Sequence, residues 1–167
     1  MNKSAWLALG TAAGLMLLSG SALTHDNNND PRPTIQGAWQ VEATLRVDGP
    51  DCTIAAIVGT GVNPFRALNT FHEGGTMNEW GTRSPPATRG VGSGVWERTG
   101  HNKYRYRLLF HSFDANGLLT ATMDIRTDLK LARDGDTFEG VSRFLRTDIS
   151  GNAIRFCATM NGERISL

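Results

Sequence analysis

The chain has 167 residues, with 17 Lys and Arg against 16 Asp and Glu, and 40% of it is hydrophobic. Without Lys3, which falls in an expected leader, opposite charges balance, and a balanced chain lacks the field that nucleic-acid binding requires. About 130 residues are left to fold, enough for one domain with one core.

Residues 1–22 read as a signal peptide. Lys3 supplies the positive start, residues 7–18 the apolar stretch, and Gly20-Ser21-Ala22 the small residues of a cleavage site. The apolar stretch is shorter than the roughly 20 residues of a membrane span, and no cysteine follows it. The expectation is therefore export, to the periplasm or beyond, without a stable membrane anchor. Residues 23–34, rich in Asn, Asp and Pro, read as a disordered linker. The spacing Asp26, Asn28, Asp30 begins like a calcium loop, but Pro31 and Gly37 stand where that loop needs Gly and Glu.

The domain is expected over 35–167. Its first strand, 35–47, places Trp39, Val41, Ala43 and Leu45 on one face and Gln40, Glu42 and Arg46 on the other. Gly49-Pro50-Asp51 breaks it, and 52–63 is a long Gly-punctuated connection able to fold over a barrel mouth. A second strand, 65–72, is ambiguous in phase: either Phe65, Ala67, Asn69 and Phe71 face inward, or Leu68, Thr70 and His72 do. Glu73-Gly74-Gly75 turns into a third strand at 76–80, and 82–90, with Pro85-Pro86, is a loop. Strands follow at 92–100, 103–113, 119–131, 137–148 and 153–165, separated by short Asp-, Asn- and Gly-rich turns. The sum is an all-β chain: an eight-stranded antiparallel up-and-down barrel.

Cys52 lies just past the first strand and Cys157 in the last. Those strands are neighbours in a closed barrel, and an exported chain meets an oxidising compartment, so a disulfide is expected. Two buried free thiols are the alternative.

Gly37-Ala38-Trp39 and Gly94-Val95-Trp96 repeat a Gly-x-Trp signature at strand starts, and Phe71…Gly74-Gly75-Thr76 forms a hairpin between them. On these residues the chain resembles the calycin superfamily, and within it the small bacterial lipocalin-like proteins. The resemblance implies a calycin-like barrel over most of 34–167. It also implies an arginine packed on the first Trp, with Arg155 and Arg164 as the candidates.

The expected ligand-binding set is Trp39, Phe71, Trp96, Tyr106, Phe110, Met123 and Ile125, whose large apolar side chains suit a small-molecule pocket. The same residues would also fill a solid core, and Trp39 suits a plug at the closed end. Tyr104, Arg105, Tyr106 and Arg107 alternate as an aromatic inner face and a solvated outer one. His72, near Glu73 and Glu79, is a candidate acid–base group, as is His111. No catalytic residue can be assigned. The histidines lack ligand spacing, so no metal is expected, and no cofactor motif is present. Three functions remain open. The first is an exported barrel binding a small, largely apolar molecule. The second is a cofactor-free isomerase or cyclase of the allene-oxide-cyclase-like barrel type. The third is a protein-binding or inhibitory module acting through its loops.

Overall fold

A computed structural model of the chain describes residues 33–59 and 61–167. The expected leader, the calcium-like spacing and all of the linker except Pro33 and Thr34 lie outside the described residues.

Eight strands form in chain order: β1 Gly37–Val47, β2 Phe65–Phe71, β3 Thr76–Gly81, β4 Gly92–Arg98, β5 Lys103–Phe113, β6 Leu119–Leu131, β7 Thr137–Asp148 and β8 Ala153–Arg164. Each is antiparallel to the next. β1 pairs with β8 from Trp39↔Arg164 to Val47↔Phe156, which closes the barrel. A single 3-10 turn, Pro86–Thr88, interrupts the β3–β4 connection.

Period-two patterning sets what lies inside. Trp39, Val41, Ala43 and Leu45 on β1 are buried, as are Tyr104, Tyr106 and Leu108 on β5. Arg105 and Arg107 lie outside, paired with Asp128 at 2.8 Å and Asp124 at 2.9 Å. On β2 the phase resolves in favour of Phe65, Ala67, Asn69 and Phe71, which are buried, while Leu68 is exposed.

The end of the barrel where β1 begins is closed. Trp39 is wholly buried there, its Nε1 donates to the Ile35 carbonyl at 2.8 Å, and its ring lies 5.0 Å from that of Phe138. Of the two candidate arginines, Arg164 covers the indole, at 4.4 Å from the ring. Its guanidinium donates to the carbonyls of Thr34 (2.6 Å), Gln36 (2.7 Å) and Gly135 (2.8 Å). Gly37 makes this possible: its φ is 118°, and a Cβ there would sit 2.9 Å from Arg164 Nη1. The second signature has a different cause. A Cβ on Gly94 would lie 2.2 Å from the Arg107 carbonyl oxygen, so only glycine lets β4 approach β5. Trp96 is half-buried and donates to the His72 carbonyl at 3.0 Å.

Cys52 and Cys157 form a disulfide with Cα atoms 5.9 Å apart. Cys157 is on the outer face of β8, so the bond straps the β1–β2 connection to the barrel wall. Arg143 adds to the strap by donating to Asp48 Oδ1 and the Pro50 carbonyl, each at 3.1 Å.

Candidate ligand cavity

Above the closed end the barrel holds a cavity of about 290 Å³. It reaches toward the opposite end, where Val58, Arg83, Ser84, Ser112 and Arg146 line it. The long β1–β2 connection is thus divided: Val58 faces the cavity, while Cys52 is fastened outside. The side chain of Asn63 holds this connection to β1, bonding Leu45 N at 2.9 Å and the Val58 carbonyl at 2.8 Å.

Four of the seven expected binding residues, Tyr106, Phe110, Met123 and Ile125, line this cavity. The other three lie at the closed end and are not part of its wall. Trp39 is packed between Phe138 and Arg164. Phe71 meets Trp96 edge-on at 6.2 Å and Tyr106 at 5.8 Å. They are the floor on which the cavity stands.

The interior is not wholly apolar. Asn69 on β2 and Glu79 on β3 are register partners and both buried. Tyr106 on β5, Thr127 on β6 and Ser142 on β7 follow one another across the sheet in the same way. Thr127 and Ser142 share a hydrogen bond of 2.5 Å, and the Tyr106 hydroxyl donates to Met160 Sδ at 3.6 Å.

Glu79 is paired with Arg89, which reaches in from the β3–β4 connection and lies 3.8 Å over the Phe110 ring. Both side chains are more than nine-tenths buried. Two glycines give the carboxylate its room. A Cβ at Gly81 would meet Glu79 Oε1 at 2.7 Å, and one at Gly92 would meet Oε2 at 2.9 Å. Burial raises the Glu79 carboxyl above its ordinary range, outweighing the opposing pull of Arg89. Burial likewise pushes the Tyr106 phenol up to about 12. Asn69 is 2% exposed, and among the described residues no donor reaches its Oδ1.

The candidate histidines are elsewhere. His72 is exposed beyond β2, with Nε2 2.9 Å from Asn78 Oδ1, and His111 faces outward toward Thr122 at 3.2 Å. Neither lines the cavity. Among the described residues no group of three or more His, Cys, Asp or Glu is placed to hold a metal ion.

Asn69, Thr127 and Ser142 carried a signal that the sequence reading left unused. Each is a polar residue in the inward phase of its strand, where an apolar one is the rule. Arg89 carried none, since it stands in a connection whose path is set by tertiary contacts. No family model matches the chain, and a search of the curated proteins gives no match.

Proposed function

We propose that this protein is an exported, calycin-like barrel that binds one small, largely apolar molecule in its interior. The observation carrying this reading is the cavity itself: about 290 Å³, walled by apolar residues such as Leu108, Phe110 and Ile125 together with polar ones such as Asn69 and Ser142. That mixture suits a small-molecule site. Arg164 over Trp39 supports the calycin likeness. The disulfide supports an oxidising destination; a native product retained in the cytoplasm with its leader uncleaved would remove the export part.

The test is titration with N-phenyl-1-naphthylamine, a neutral dye that brightens in apolar surroundings. The wild-type protein is expected to take up one equivalent. Ala67→Phe projects a ring into the cavity from β2 and is expected to weaken uptake at least about tenfold, which corresponds to about 1.4 kcal/mol. Equal uptake by the two folded proteins would sink the reading.

Glu79 favours a second reading, that of a cofactor-free isomerase. A buried carboxyl with a raised pKa on a cavity wall suits proton transfer to or from a bound substrate. Titration of the Glu79 carboxyl in the ordinary carboxylate range, followed by its ¹³C resonance, would remove it.

A further inference from the structure

Several polar groups of the cavity wall are bonded within the protein. Arg89 and Glu79 hold each other, Thr127 and Ser142 hold each other, and the Tyr106 hydroxyl has Met160 Sδ. Asn69 Oδ1, in the cavity wall, is the one buried side-chain nitrogen or oxygen without a hydrogen-bond partner among the described residues. A buried acceptor without a donor is costly, and such groups are rare in folded proteins.

Charge narrows the choice further. Beside Asn69 the charged groups are Glu79 and Arg89, which bond each other, while Arg83 and Arg146 line the cavity toward its mouth. A carboxylate placed against Asn69 Oδ1 would set two acceptors against each other, and a cation there would stand near Arg89. Either ion would also have to shed water to reach that depth.

We infer that the cavity selects a neutral ligand whose buried end donates a hydrogen bond, a hydroxyl, phenol or amide N–H, to Asn69 Oδ1. This rests on the small-molecule reading above and goes further, by naming the class of molecule and the residue that recognises it. Fatty-acid-like carboxylates are the class it excludes from the depth of the cavity.

A matched panel tests it on the intact protein: naphthalene, 2-naphthol and 2-naphthoate, each displacing N-phenyl-1-naphthylamine. The ring system is constant, and only the head group changes. The wild type is expected to bind 2-naphthol roughly tenfold more tightly than naphthalene, and 2-naphthoate more weakly than both. In Asn69→Leu, naphthalene binding is expected to persist, which shows the variant is folded, while the advantage of 2-naphthol disappears. Equal binding of naphthalene and 2-naphthol by the wild type, or tightest binding of 2-naphthoate, would overturn the inference and leave the cavity reading standing. A preference for 2-naphthol that survives in Asn69→Leu would overturn the role of Asn69. Failure of all three to displace the dye would instead remove the small-molecule reading itself. The wild-type comparison decides the head-group question even where Asn69→Leu fails to fold.

Discussion

Glu79 is held by two opposing effects: burial, which favours its neutral form, and Arg89, which favours the charged one. Burial prevails, so the folded protein keeps a proton on Glu79 at a pH where the unfolded chain, near the ordinary value of 4.5, has lost it. This contribution to stability is present below the unfolded value and is lost as pH rises through the higher folded one. Glu79→Gln cannot titrate. The urea midpoint of the wild type, measured relative to that of Glu79→Gln, is therefore expected to fall as pH rises above the ordinary value of 4.5. A relative midpoint that rises with pH there would mean that the Arg89 pair, not burial, sets the state of Glu79. Residues of this kind were the least legible in the sequence. A lone Glu on a short strand reads as a solvated position, because its inward phase becomes informative only when the neighbouring strands are placed. Trp39, by contrast, was legible as an inward residue, though its partner was not: choosing Arg164 over Arg155 requires knowing that Gly135, Gln36 and Thr34 all present carbonyls to one point.

At the scale of strands, glycines set how closely neighbours approach. Gly94 on β4 lies against the β5 backbone at Arg107 and Leu108. Gly94→Ala would force these strands apart at their centre, and the expected cost is at least about 3 kcal/mol. Gly100, in the turn just after β4, has its nearest neighbour for a Cβ at 3.5 Å and is a fitting control. Gly100→Ala is expected to stay within about 0.5 kcal/mol of wild type. Thermal unfolding of both variants checks the contrast, and similar losses would refute it. Strand positions were readable because alternation and turn chemistry agree along most of the chain. The hairpin after β5 illustrates this: Asp114 Oδ1 accepts from Asn116 N at 2.8 Å and Leu118 N at 2.9 Å, local bonds that Asp-x-Asn-Gly encodes directly. The phase of β2 was not readable, since both of its faces mix polar and apolar residues. Its pairing with the clearly patterned β1, from Gly37↔Phe71 to Ala43↔Phe65, decides it.

For the molecule as a whole, closure is the governing fact. The β1–β8 seam joins the two strands most distant in sequence, and the Cys52–Cys157 bond spans 105 positions across the same seam. In the chain-entropy account, a cross-link over a loop of that length stabilises by about 4–5 kcal/mol. Urea unfolding with and without reductant is expected to differ by roughly that amount, and no difference would mean the seam is held by strand pairing alone. The seam has one more consequence. β1 begins and β8 finishes at the end plugged by Trp39, opposite the entrance to the cavity. A chain tethered through either strand at that end, to a bead, a sensor surface or another protein, would present its mouth outward, toward arriving solute.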